Sequence, residues 1–171
     1  IYALESIRGA FSLVLLTKNS LIGVRDPLGI RPLVLGKLGD THIFSSESCG
    51  LDIIGAELIR DIEPGEIVII TDKGIESIKP FKKTFLRPCL FEYIYFSRPD
   101  SILQGRNVYN VRKKIGNEMA KENPNDNKII DAVIPIPDSG NASALGYSKV
   151  IKKPFELGII RNHYTGRTFI E

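Results

Sequence analysis

The chain has 171 residues, 43% hydrophobic and 25% charged, which is enough apolar mass for one packed domain or two small ones. Two cysteines, Cys49 and Cys89, argue against a disulfide framework and cannot alone complete a four-cysteine metal site. The net charge of +3 is uneven: residues 1–80 hold 8 Lys and Arg against 11 Asp and Glu, and residues 81–171 hold 15 against 9. The basic second half favours anions but lacks a dense Lys/Arg stripe, so phosphate esters are expected before nucleic acid.

The first residues, "IYALESIRG", do not have the layout of a signal peptide, and no apolar run is long enough for a membrane span. A cytoplasmic protein without membrane contact is expected. Next, "GAFSLVLLT", "SLIGVR", "LVLGKL" and "HIFSSE" are short apolar runs between turn residues, which predicts adjacent antiparallel strands, most simply a meander. Between the second and third lies "VRDPLGIRPLVLG". Arg25, Asp26 and Arg31 surround a Pro-Leu-Gly turn there, either as a carboxylate clamp or as scaffold with Pro27 second, Gly29 closing and one arginine paired to Asp26.

The stretch "SCGLDIIGA" predicts a short helix with Ser48 as N-cap, and "GEIVIITDKGIESIK" a hairpin. No G-x-S-x-G elbow marks a nucleophile near "FSSESCG", and His42 and His163 read as surface or packing residues. The boundary between two domains falls near "FKKTFLRPC". Cys89 then precedes the aromatic-rich "LFEYIYF", which reads as a strand.

In the second half, Val108, Val111, Ile115 and Met119 at helical spacing predict a helix over "VYNVRKKIGNEMAKE". The apolar "IIDAVIPIP", the helical "NASALGYSKVI" and "FELGIIRN" then predict strand, helix and strand, hence a right-handed crossover and a parallel sheet. Such sheets bind ligands at the carboxyl ends of their strands, and a helix N-terminus there offers N–H groups to an anion. Asp138 and Ser139 stand where a phosphate or its magnesium would lie, or else cap the helix.

Taken in order, "RGAFSLVLL", "RDPLGIRPLVLGKL", "SSES", "RDIEPGEIVII", "CLFEYIYFSRPDS", "VIPIPDSG", "ALGYS" and "RNHYTGRTFI" resemble the middle of the glutamine phosphoribosylpyrophosphate amidotransferase (amidophosphoribosyltransferase) family. The resemblance implies an α/β fold. Residues 1–85 would be the C-terminal portion of an N-terminal-nucleophile glutaminase sandwich of antiparallel sheets (glutamine amidotransferase type 2). Residues 86–171 would be the N-terminal portion of a parallel-sheet type I phosphoribosyltransferase domain.

It also implies the first step of de novo purine biosynthesis: ammonia released from glutamine displaces pyrophosphate from phosphoribosyl pyrophosphate, giving 5-phosphoribosylamine. Magnesium, homo-oligomers and purine-nucleotide regulators belong to the same inference. Residue by residue, Ser139 matches a magnesium ligand and Cys89 matches a ligand that in some members holds a [4Fe–4S] cluster. Arg161, Asn162, Tyr164, Gly166, Arg167 and Thr168 match the start of a mobile loop that closes over the phosphoribosyl substrate.

The family nucleophile is an N-terminal Cys, whereas residue 1 is Ile, and the two aspartate magnesium ligands match nothing here. No catalytic residue is therefore assigned, and the isolated polypeptide is expected to be inactive, with its uncovered sheet edges prone to associate. The chain stops on "NHYTGRTFIE", inside the matched loop, which reads as an excerpt of a working enzyme. The alternative is a degenerate, non-catalytic remnant that at most binds phosphates.

Overall fold

The computed structural model describes residues 2–124 and 128–166. The chain divides into two compact units, one ending at Val108 and one starting at Tyr109. The first holds α1 (Tyr2–Ser6), β1 (Ser12–Leu16), β2 (Leu21–Arg25), β3 (Val34–Leu38), β4 (Thr41–Ser45), α2 (Ser48–Ile53) and β5 (Glu57–Asp61). It continues with β6 (Ile67–Thr71), β7 (Gly74–Ile78), a π-helical turn (Glu92–Phe96), β8 (Ile102–Leu103) and β9 (Arg106–Asn107).

All four strands expected at the start form, and so does the hairpin of β6 and β7. They do not make one meander. One sheet runs β1-β2-β6-β7 and another β4-β3-β5, every pair antiparallel. The break falls between β2 and β3, where Pro27 and Pro32 have no N–H to give a ladder and the intervening turn is fixed by its own buried groups. The open edge of β2 is taken by β6, with Ile22 opposite Ile69 and Val24 opposite Ile67.

β5 takes the free edge of β3, with a register shift at Leu35/Gly36. The sequence predicts no element there, since "ELIRD" shows no alternation of apolar and polar residues, and in the structure Leu58 and Ile59 are both exposed. The core gathers Leu33, Leu35, Ile62 and Val68, with Phe44 and Ile70 packed on it, so strands of both sheets share one apolar layer.

Two local expectations are corrected. Ser48 is not the N-cap of α2: Glu47 holds that position, no side chain caps the helix, and the Ser48 hydroxyl instead accepts the Ile102 N–H at 2.7 Å. The aromatic-rich "LFEYIYF" is not a strand, because Glu92–Phe96 winds into the π-helical turn. Its cause is the buried Glu92. The Glu92 carbonyl accepts the Ser97 N–H at 3.0 Å, its carboxylate accepts the Ser97 hydroxyl at 3.1 Å, and Arg31 lies 2.5 Å away.

The second unit holds most of α3 (Val108–Glu122) and all of α4 (Asn141–Ile151), both as the spacing predicts. The inner face of α3 differs from the expected one: Arg112 and Ala120 are buried, while Met119 is 49% exposed. Backbone approach decides the rotation. A Cβ on Gly116 would lie 1.9 Å from the Ser143 carbonyl oxygen, and one on Gly146 would lie 2.1 Å from that of Lys113. The two expected parallel strands are reduced to one parallel bridge, Val133 to Phe155, held by Val133 N–H to Pro154 O at 2.9 Å and Glu156 N–H to Val133 O at 3.0 Å. Pro135, Pro137 and Pro154 remove donors on both sides of it. Antiparallel sheets with helices nonetheless give the mixed α/β class that the sequence implies. Among the described residues no helix is long and apolar enough to cross a membrane.

Candidate functional site

The turn into α4 is the site that the sequence singles out on chemical grounds. Pro135 is buried beneath it, Asp138 is exposed, and Ser139 and Gly140 are half-buried. Neither Asp138 nor Ser139 caps α4, contrary to the structural alternative in the sequence: Gly140 is the N-cap and no side chain bonds the first turn. The backbone does that work, with Gly140 N–H to Ile136 O at 3.1 Å and Asn141 N–H to Asp138 O at 3.2 Å. A Cβ on Gly140 would lie 2.6 Å from that Ile136 oxygen, so the tight turn depends on glycine. Asp138 and Ser139 thus stand beside a helix N-terminus, whose dipole favours an anion.

Arg161, Asn162, His163, Tyr164, Thr165 and Gly166 are all exposed, and the Asn162 side chain accepts the Tyr164 N–H at 2.9 Å in a local turn. Arg167 and Thr168 lie outside the described residues. Cys89 belongs to the first unit and is half-buried. The amides of Phe85, Arg87 and Cys89 donate in turn to the carbonyls of Pro27, Leu28 and Ile30, at 3.0, 2.7 and 3.1 Å.

Those carbonyls belong to the turn that had two readings, and the geometry is that of scaffold. Arg25 is 2% exposed and donates to the carbonyls of Gly29, Arg31 and Ile62. Burial lowers its pKa, against the pull of Asp61 and Asp26. Gly29 N–H closes the turn on Asp26 O at 2.9 Å, as the sequence predicts. Asp26, fully buried, takes the N–H of Leu28 at 2.9 Å and of Ile30 at 3.0 Å, so backbone amides and not an arginine are its bonded partners. Arg31 pairs with Glu92 and lies over the Phe96 ring.

The same arrangement of elements occurs in proteins of known kind. Residues 2–52 match the family model of the glutamine amidotransferase domain. The chain is 53% identical over 174 aligned residues to the amidophosphoribosyltransferase of Rhizobium etli, covering 99% of itself and 34% of that protein. It is 51% identical over 168 to that of Synechococcus elongatus, covering 96% and 34%. A Bacillus subtilis glutamine phosphoribosylpyrophosphate amidotransferase solved with ADP and GMP matches with a TM-score of 0.91 at 40% identity, over 99% of this chain and 37% of that one. Over nearly its whole length the chain is similar to part of the amidophosphoribosyltransferases. It spans about a third of the length of the curated relatives it matches.

Against that family, two groups expected from the resemblance can be weighed on the donors present. Asp138 and Ser139 offer hard oxygen donors of the kind magnesium takes, although they are too few to hold the ion without further oxygens. Cys89 offers one thiol, and among the described residues no three His, Cys, Asp or Glu side chains gather as a metal site, so these residues do not by themselves fit an iron–sulfur cluster.

Sequence reasoning missed two carboxylates. Glu66, 2% exposed, accepts both Arg60 nitrogens, at 2.8 and 2.6 Å, together with the Ser77 hydroxyl at 2.6 Å and the Glu63 N–H at 2.7 Å. Burial raises its pKa, but these donors outweigh it and hold the group at about 2. Glu47 accepts the Arg98 N–H and the Ser101 hydroxyl. In "FSSESCG" the serines and the cysteine are the residues that suggest a nucleophile, while no local pattern gives Glu47 a partner some fifty residues away.

Proposed function

We propose that the complete protein carrying this stretch is an amidophosphoribosyltransferase: ammonia from glutamine displaces pyrophosphate from phosphoribosyl pyrophosphate and yields 5-phosphoribosylamine. The observation that carries this reading is the match of 99% of the chain to a solved glutamine phosphoribosylpyrophosphate amidotransferase with a TM-score of 0.91. Residues 1–85 belong to its glutaminase part and 86–171 to its transferase part. Purine nucleotides regulate the protein, in keeping with the ADP and GMP of that solved relative, and it works as a cytoplasmic homo-oligomer.

In this reading the turn into α4 receives the phosphate groups. The helix dipole favours negative charge there, and the Ser139 hydroxyl would be one oxygen donor to magnesium, which would supply neutralisation of the charge on pyrophosphate. Arg161, Tyr164, Arg167 and Thr168 contribute to a cover over the sugar phosphate, excluding water while ammonia attacks. The 171 residues supply framework between two reaction centres and turn over neither substrate alone.

The test supplies glutamine, phosphoribosyl pyrophosphate and magnesium to the complete protein and, separately, to the isolated 171-residue polypeptide. Phosphoribosylamine is expected from the first and not from the second. Product from the isolated polypeptide overturns the framework role, whereas no product from either overturns the activity and leaves a phosphate-binding remnant.

A further inference from the structure

Glu47 occupies the N-cap position of α2, yet its carboxylate caps nothing in that helix. One oxygen, Oε2, accepts the Arg98 N–H at 2.8 Å and the Ser101 hydroxyl at 2.7 Å, from residues 51 and 54 positions later. The adjacent Ser48 hydroxyl accepts the Ile102 N–H at 2.7 Å. Ser48 and Ser101 are 2% and 1% exposed, so the two bonds their hydroxyls make are partly shielded from water and a lost partner there is not replaced cheaply, whereas the Arg98 bond lies at the surface. Ser101 continues the connection, because its carbonyl accepts the Val108 N–H at 3.0 Å, and Val108 is the first residue of α3.

A helix six residues long draws little from an acidic group at its start, so helix stability does not explain where this carboxylate points. Its bonds hold Arg98 and Ser101, the adjacent Ser48 hydroxyl holds Ile102, and through the Ser101 carbonyl the connection reaches the residue that opens α3. We propose that Glu47 is a positioning residue: it fastens the Arg98–Ile102 segment to α2 and thereby couples ammonia release to ammonia use. The coupling role rests on the reading above, in which α2 lies in the glutaminase part and Arg98 to Val108 lie near the start of the transferase part. Externally supplied ammonia bypasses the first part, so the fastening matters only when nitrogen comes from glutamine.

The experiment compares Glu47→Ala, Glu47→Gln and Ser101→Ala with the wild type in the complete protein. It reads amide exchange at Arg98 and Ile102, and phosphoribosylamine formed from glutamine and from ammonium chloride. Glu47→Ala is expected to speed exchange at both amides at least about tenfold, as local opening becomes easier. It should lower the glutamine-dependent rate about fivefold and leave the ammonia-dependent rate within about twofold. Glu47→Gln keeps an acceptor oxygen and should restore most of both, an effect that loss of charge alone would not give. Equal loss of the two rates, no change in either, or unchanged exchange at Arg98 and Ile102 overturns the proposal. Should Glu47→Ala fail to fold, Ser101→Ala carries the same comparison. Should the wild type form product from neither nitrogen source, the proposed activity and the coupling both fail, and exchange alone decides whether Glu47 holds the segment.

Discussion

The two compact units reach order by different means. The first closes its strands through antiparallel neighbours, β1 with β2, β3 with β4 and β6 with β7, and fills the space between sheets with Leu33, Leu35, Ile62 and Val68. Three of its buried charges are well met, Arg25 by three carbonyls, Asp26 by two amides and Glu66 by four donors. Among the described residues the second relies on two helices in backbone contact and one parallel bridge, while Ile129, Ile136 and Ile160 stay mostly exposed. Antiparallel pairing is available to adjacent segments, whereas parallel pairing requires distant ones and cover on both faces. The first unit is therefore locally complete in a way that the second is not.

Several variants would break or sharpen this contrast. The largest effect is expected for Arg25→Met, which removes the guanidinium donor from the buried Gly29 and Ile62 carbonyls and leaves that of Arg31 only the Ser12 hydroxyl at 3.4 Å; a loss of about 4 kcal/mol is expected in chemical denaturation. An unchanged midpoint would mean that the turn is not held from within. Gly116→Ala drives a methyl into the Ser143 carbonyl and should cost the second unit about 3 kcal/mol, read as lost exchange protection in α3 and α4 only. If the first unit loosened equally, the two would not be separate folding units.

Acid should act on the first unit through Glu66. Its folded pKa, about 2, lies below the ordinary value of 4.5, so its stabilising contribution is present above pH 4.5 and is lost as pH falls towards 2. About 2 kcal/mol should disappear across that window, and Glu66→Gln should remove most of the dependence. The smallest effect concerns Lys152, which ends α4 with φ +57°. Lys152→Gly should raise the thermal stability of the second unit by about 0.5 kcal/mol, because glycine adopts that conformation without steric cost.

Much was legible in short stretches. The hairpin of β6 and β7 follows from two β-branched runs about an Asp-Lys-Gly turn, and both helices of the second unit follow from spacing alone. The turn Asp26–Gly29 was readable from Pro27 and Gly29, but the buried partners of Arg25 were not, since Ile62 lies 37 residues away. The turn into α4 was found as a strand-turn-helix pattern, while its capping was misread: Gly140, not Asp138 or Ser139, takes the N-cap. Glu47 was overlooked because its partners come from residues 98 and 101.

The sequence by itself determined the mixed α/β class, the positions of most strands and helices, and the family resemblance, because propensity, periodicity and turn chemistry act within a few residues. Only the tertiary structure decided that the first strands part into two sheets and that an aromatic run becomes a π-helical turn. It also decided that Glu47 reaches across to Ser101. Each of those outcomes depends on what a buried polar group finds within about 3 Å, and that is set by packing between segments far apart in the chain.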